Sequence, residues 1–230
     1  MSPREQIASA RLYLVSGARS QGRPPGTREL RALRAFLDAA LAGGVDVIQL
    51  RDKALAQGDD DILMEAAAVF RQAADAAGAL FVLNDRPDLV DRCGADGVHI
   101  GQDDGSARDA RAAVGEERIV GRSTHAPEQG AAADADPDVD YLAVGPVHAT
   151  PTKPGRPAAG LEYVAWAAAN VTTPWFAIGG LDAGNLGEAV ARGARRAVVV
   201  RAVTEAADPE AAARALRARL EVGVGAAQAT

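Results

Sequence analysis

Apolar and polar positions follow two rhythms along this chain. Short apolar runs at 11–15 (RLYLV), 45–50 (VDVIQL), 80–83 (LFVL), 97–100 (GVHI), 118–122 (RIVGR), 141–144 (YLAV), 175–178 (WFAI) and 197–200 (AVVV) are bounded by small residues and turns. Such runs read as strands buried on both faces, the kind that parallel sheets use. Between them the spacing is helical. Thr27 is a good N-cap, with Leu30, Leu33, Leu37 and Leu41 on one face and Gly43-Gly44 as the stop. Further helices are predicted at 59–77, at Pro87 to a cap at Gly94, and at 106–114, 127–135, 161–169 and 185–192. A last helix runs to about Leu220, and residues 5–10 form a short lead-in helix.

Strands and helices that alternate in this way build an α/β fold on a parallel sheet. An internal echo sharpens the reading. GGVDVIQL, CGADGVHI, PDVDYLAV and GARRAVVV each place a turn before a buried strand, at every second strand. The prediction is one (β/α)8 TIM barrel, a single domain over 1–230, with 1–10 as lead-in and 221–230 as a frayed tail. An open doubly wound sheet is the competing architecture. It is disfavoured because no G-x-G-x-x-G follows the first strand and polar residues sit at most strand ends.

Composition narrows the function classes. Hydrophobic residues make up 48% of the 230, enough for a large core. No apolar run is long enough to span a membrane, and MSPREQIASA lacks the apolar stretch of a signal peptide. A net charge of −6 argues against a nucleic-acid or acidic-membrane surface, so any anion must be gripped locally. The single cysteine, Cys93, forbids an internal disulfide and suits a reducing cytoplasm. It reads as a core filler rather than a nucleophile. Three histidines without ligand spacing give no zinc site, and there is no G-x-S-x-G elbow. Oligomeric state is open, a homo-oligomer included.

In a barrel of this type the chemistry lies at the C-terminal ends of the strands. Period two puts Ile48 and Leu50 toward the helices and Val47, Gln49 and Arg51 inward, with Lys53 beyond. An inward Gln and Arg need either an internal partner or an anionic ligand. Asp85 and Asp104 follow the third and fourth strands. They are either turn residues and helix N-caps or ligands of a Mg2+ that also holds substrate phosphates. Ser123 ends the fifth strand, and the long proline-rich loop 145–160 carries Thr150, Thr152 and Lys153. Gly179-Gly180 after the seventh strand, with the helix starts that follow, suits phosphate. His99 reads as a hydrogen-bonded core residue, whereas His125 stands close enough to a strand end to approach a ligand. Together the strand ends suggest two phosphorylated small-molecule substrates, one of them a diphosphate.

QLRDK at 49–53, NDRPDLVDRCGADGVHIGQDD at 84–104, GRSTH at 121–125, VGPVHATPTK at 144–153 and AIGG at 177–180 resemble the thiamine-phosphate synthase family. The motifs fall in family order from Leu12 to about Arg201. The resemblance implies a Mg2+-dependent transferase of thiamine biosynthesis. It would join 4-amino-2-methyl-5-hydroxymethylpyrimidine diphosphate to a 4-methyl-5-hydroxyethylthiazole phosphate, carboxylated or not, with release of diphosphate through a pyrimidine cation. It implies that Gln49, Arg51, Lys53, Asn84, Ser123 and Lys153 bind the pyrimidine diphosphate. Arg51, Lys53, Ser123 and Lys153 would act in catalysis. Asp85 and Asp104 would hold Mg2+, and Thr150, Thr152, Gly180, Val200 and Arg201 would hold the thiazole phosphate. The chain departs from the family's pattern at Asp52, where Glu is usual, at Val200-Arg201, where Ile-Ser is frequent, and in a longer loop at 16–26. A thiazole tautomerase or a non-catalytic thiazole-phosphate-binding barrel are the alternatives; neither has a use for a diphosphate clamp.

Overall fold

The computed structural model describes residues 1–18, 25–52, 60–149 and 158–225. Eight parallel strands close into a barrel in chain order: β1 (Leu12–Ser16), β2 (Val47–Leu50), β3 (Leu80–Asn84), β4 (Gly97–Ile100), β5 (Ile119–Thr124), β6 (Tyr141–Val144), β7 (Trp175–Ile178) and β8 (Ala197–Val199). The seam is β8 on β1, with Leu12 opposite Ala197. Parallel neighbours need a crossover, and helices supply it. After α1 (Pro3–Ser9) come α2 (Thr27–Ala42), α3 (Asp60–Ala77), α4 (Val90–Cys93), α5 (Ala107–Val114), α6 (Pro127–Asp134), α7 (Gly160–Asn170), α8 (Leu186–Ala191), α9 (Arg201–Thr204) and α10 (Pro209–Gly225). A 3-10 turn, Pro87–Leu89, leads into α4. No helix among the described residues is long and apolar enough to cross a membrane.

Alternation along the strands sorts the apolar side chains into two layers. Ile48, Leu50, Phe81 and Leu83 face the helices, in a core shared with Leu33, Leu37, Leu63 and Phe70. Tyr13, Val15, Val47, Leu80, Val82, Ile119, Tyr141 and Phe176 fill the barrel interior. The lead-in helix α1 has a capping box, with Ser2 Oγ accepting from the Glu5 amide and the Glu5 carboxylate accepting from Ser2 N–H. Its Ile7, 1% exposed, joins the interior layer and plugs the N-terminal end of the barrel.

The internal echo has a physical meaning. Asp46, Asp96 and Asp140 stand at the same position, just before β2, β4 and β6. Asp46 accepts the Leu12 amide of β1 at 3.0 Å and pairs with Arg217. Asp96 accepts the Phe81 amide at 2.7 Å and pairs with Arg71 at 2.9 Å. Asp140 accepts the Val120 amide at 2.7 Å and pairs with the buried Arg111. Each carboxylate thus satisfies a strand amide that the start of a parallel ladder leaves open. At the fourth echo Arg196 replaces the acid, and its guanidinium donates to the Ala8 carbonyl of α1.

Several boundaries differ from the sequence expectation, among them α1 at Pro3–Ser9 rather than 5–10 and β5 at Ile119–Thr124 rather than 118–122. Thr27 is the first helical residue and Gly26 is the cap. The last helical segment is two helices, α9 and α10. Asp208 Oδ1 accepts the Ala211 amide at 2.9 Å and Pro209 opens α10, an Asp-Pro start signal that the composition of the region hid. Finally, α10 continues past Leu220 to Gly225.

Candidate active site

The C-terminal mouth of the barrel holds a cavity of about 360 Å³, the size of a small-ligand site. Its walls include Gln49 in β2 and Arg51 just after it, Asn84 at the end of β3 and Asp85 just after it, Asp104 after β4 and Ser123 in β5. On the far side stand Gly180 after β7 and Val200 and Arg201 after β8. Lys53, Thr150, Thr152 and Lys153 lie outside the described residues, as does most of loop 16–26.

Asp85 is the non-glycine residue with positive φ (58°) among the described residues. Its amide donates to the His99 carbonyl of β4 at 2.9 Å, which pins it in that conformation. A left-handed backbone is a local cost that surrounding structure must hold in place, and such sites concentrate where function needs a side chain aimed. Here it turns the carboxyl toward Asp104. Burial, the charge of Asp104 and a hydrogen bond shared with it push the Asp85 carboxyl up to about 6, against the smaller opposing pull of Asn84 and Arg51. Asp104 is fixed through Oδ2, which accepts the Gly101 amide at 2.9 Å.

Neither residue caps a helix. The N-cap of the 3-10 turn is Arg86, and that of α5 is Ser106, whose hydroxyl accepts the Asp109 amide. The helix-cap reading therefore falls, while the turn reading holds for Asp104, whose side chain closes the turn at 101–104, and the two carboxyls lie against each other. Among the described residues no group of three or more His, Cys, Asp or Glu could hold a metal. Two carboxylates suffice for Mg2+, which keeps several waters and takes the rest of its ligands from phosphates.

Gln49 is 3% exposed and does not form a salt bridge inward; its Nε2 donates to the Tyr13 hydroxyl at 2.7 Å. The Tyr13 and Tyr141 hydroxyls are 2.9 Å apart. Tyr141 also meets His99 Nδ1 at 3.0 Å, and His99 Nε2 meets Ser123 Oγ at 2.9 Å. His99 is thus the hydrogen-bonded core histidine the sequence suggested. The two tyrosines were missed, although period two along RLYLV points Tyr13 inward beside Val15, and a buried phenol needs a partner. His125 does reach the cavity wall, where its Nδ1 donates to the Gly145 carbonyl at 2.6 Å.

The glycine pair after β7 is shaped by its neighbours. Gly179 has φ 108° and a Cβ there would come within 2.5 Å of Pro146; at Gly180, φ 65°, it would come within 2.8 Å of His148. Asn185 Nδ2 donates to the Gly180 carbonyl at 2.8 Å, and Asp182 accepts the amides of Gly184 and Asn185. Sequence reasoning passed over this Asp-Asn clasp, although both residues favour such turns. Val200 stands at the start of the short α9, with Arg201 its first residue. Across the barrel, Asp52 Oδ2 accepts the Ala18 amide at 3.0 Å, so the shorter acid ties the β1 and β2 ends together.

A polar mouth that gathers Gln49, Arg51, Asn84, Asp85, Asp104 and Ser123 above an apolar barrel can be matched with known proteins. The family model described as thiamine monophosphate synthase matches residues 12–203. The chain belongs to this family. It is 53% identical to the thiamine-phosphate synthase of Thermobifida fusca over 94% of this chain and 95% of that one. With the Thermus thermophilus enzyme of the same name the identity is 52%, over 91% and 97%. The thiamine phosphate pyrophosphorylase structure from Pyrococcus furiosus superposes with a TM-score of 0.79 at 28% identity, covering 96% of this chain and 99% of that one. The family's members are transferases of thiamine biosynthesis, and thiamine-phosphate synthesis is the activity of this chain.

Proposed function

We propose that the mouth divides into two substrate sites bridged by the carboxylate pair. The pyrimidine diphosphate lies over Gln49, Asn84 and Ser123, its diphosphate reaching Arg51, Lys53 and Lys153. The thiazole phosphate, carboxylated or not, lies toward Thr150, Thr152, Gly180, Val200 and Arg201. Asp85 and Asp104 would hold Mg2+, which when bound supplies charge neutralisation at the leaving diphosphate. The observation that carries this reading is the facing of two acids at a mouth of small-ligand size, with the Asp85 carboxyl raised to about 6. Burial is the first cause of that rise and the charge of Asp104 the second, and a cation would offset both.

The chemistry needs no strong base. The carbon–oxygen bond of the pyrimidine methylene breaks, its electron pair leaves with diphosphate, and the 4-amino group donates density to the cation left behind. The thiazole nitrogen lone pair then forms the new carbon–nitrogen bond, and a carboxylated thiazole gives up its carboxyl as carbon dioxide. The protein's part is to align the two substrates and to stabilise charge that grows on the leaving group, chiefly through Arg51 and the two lysines. A cytoplasmic setting completes the reading, supported by the single, unbridged Cys93.

Mixing both substrates with enzyme and Mg2+ tests the proposal. Diphosphate should appear in equal amount to thiamine phosphate, and chelation should stop it. Consumption of the thiazole phosphate alone, without diphosphate release, would instead mark an isomerase.

A further inference from the structure

Four hydrogen bonds run unbroken across the barrel interior, from Gln49 through Tyr13, Tyr141 and His99 to Ser123. All five side chains are buried, and only the two end members carry a role in the proposed pyrimidine site. The middle of the chain is built with care. Gly121 of β5 is where the Tyr141 ring lies across the interior: a Cβ there would come within 2.1 Å of the ring. Tyr13 and Tyr141 each pack edge-on against Phe176. Burial raises both phenols above their ordinary range, so both keep their hydrogen.

Counting hydrogens gives the relay a direction. A phenol and a serine each donate once, and a neutral imidazole donates from one nitrogen only. Gln49 Nε2 donates to Tyr13. With His99 neutral and each hydroxyl donating along the series, Tyr13 would donate to Tyr141, Tyr141 to His99 Nδ1, and His99 Nε2 to Ser123 Oγ. Gln49 and Ser123 both line the cavity, and in this direction they would offer it the Gln49 carbonyl oxygen, an acceptor, and the Ser123 hydroxyl hydrogen, a donor.

We propose that Tyr13 and Tyr141 are positioning residues that fix this polarity, so that the site selects a heteroaromatic edge carrying an amino donor beside a ring-nitrogen acceptor. The inference rests on the pyrimidine site proposed above and adds how its recognition is set. The amino group would donate to Gln49 Oε1, a bond that strengthens as positive charge develops on that nitrogen, and Ser123 would donate to the ring nitrogen. Hydrogen bonds in series also reinforce one another.

Tyr141→Phe keeps the ring and removes the link. It should lower kcat/KM for the pyrimidine diphosphate by about tenfold to a hundredfold, the range expected when buried polar groups lose a partner, with KM for the thiazole phosphate unchanged. Tyr13→Phe should act in the same direction. In a Ser123→Ala background Tyr141→Phe should cost less than in the native enzyme, because the His99 half of the relay acts through Ser123 and only the Gln49 half is then left to lose; a merely structural role would give the same loss in both backgrounds. Nitrogen-15 shifts of the His99 ring report the tautomer directly: protonated Nε2 in the native enzyme, with the other tautomer populated in Tyr141→Phe. Additive losses, or a native His99 protonated on Nδ1, would overturn the relay. Ser123→Ala with undiminished turnover would instead remove the pyrimidine site itself, which separates the two failures.

Discussion

The barrel carries aspartates at both of its ends, and they are treated in opposite ways. At the closed end Asp46, Asp96 and Asp140 each accept a strand amide and pair with an arginine. Each of these carboxylates has both an amide donor and a counterion. At the open end Asp85 sits in a left-handed backbone, faces Asp104, and holds its proton to about 6. The residue type is the same and so is its place beside a strand terminus; the partners differ. Where every charge is satisfied, a carboxylate contributes stability. Where two acids are pressed together at a cavity, the fold tolerates a local cost that a cationic ligand can relieve, which is the expected division of labour between the two ends of such a barrel.

The sharpest way to break this comparison is at the closed end. Asp140→Asn keeps an oxygen for the Val120 amide but leaves the Arg111 charge, 5% exposed, without its counterion. Stripping one partner from a buried pair costs roughly 3–5 kcal/mol. Denaturant unfolding should show that loss, while turnover per folded molecule stays as in the native enzyme. A variant as stable as the parent would mean that the closed-end carboxylates are ornaments of the repeat.

At the open end the signs reverse. Asp85→Asn suits the left-handed backbone, which asparagine tolerates, and removes one of two opposed charges. The metal-free protein should melt at the same temperature or higher. Turnover should fall on the order of a hundredfold or more, the scale set by losing a preorganised electrostatic group. A destabilised but fully active Asp85→Asn would place this residue with the closed-end set.

The pH dependence of metal binding follows from the same contrast. Below about 6 Asp85 holds a proton that Mg2+ must displace, and above it Asp85 is ionised. Apparent Mg2+ affinity should therefore fall about tenfold from pH 7 to pH 5, whereas a carboxylate near the ordinary 3.9 would barely respond over that interval. Calorimetry on the substrate-free enzyme reads this without interference from phosphate groups that titrate nearby. For the metal-free fold the sign is set by a raised acid. Its stabilisation is present below the ordinary carboxylate range and is lost as pH rises through about 6.

How much of this was legible beforehand depends on the distance over which each feature is decided. The strands GVHI, YLAV and WFAI lie where their apolar runs placed them, because a buried strand is a local signal. The inward turn of Gln49 followed from period two alone. The facing of Asp85 and Asp104 was half legible: their places at neighbouring strand ends could be read, but whether they cap helices needed the actual caps, Arg86 and Ser106. The Tyr13–Tyr141 contact was out of reach, since it joins β1 to β6 and exists only once the barrel closes. The echo of aspartates was visible as a repeat, yet its purpose appears only when each acid is set against the amide of the preceding strand.

The smallest effect is expected at Arg201, where family members often have serine. It opens α9 beside Val200, and its side chain is exposed at the rim of the cavity. An exposed guanidinium on a phosphate is screened by water and must give up side-chain freedom, so its net contribution is small. A main-chain contact from this turn would be indifferent to the side chain. Arg201→Ser should therefore keep apparent affinity for the thiazole phosphate within about threefold, with the pyrimidine diphosphate unaffected. If instead the guanidinium grips the phosphate through charged hydrogen bonds, its loss would cost about 1.5–3 kcal/mol, a tenfold or greater rise in KM for the thiazole phosphate alone. That outcome would move Arg201 from the scaffold of the open end to its binding groups, and the contrast between the two ends would then extend from the acids to the arginines.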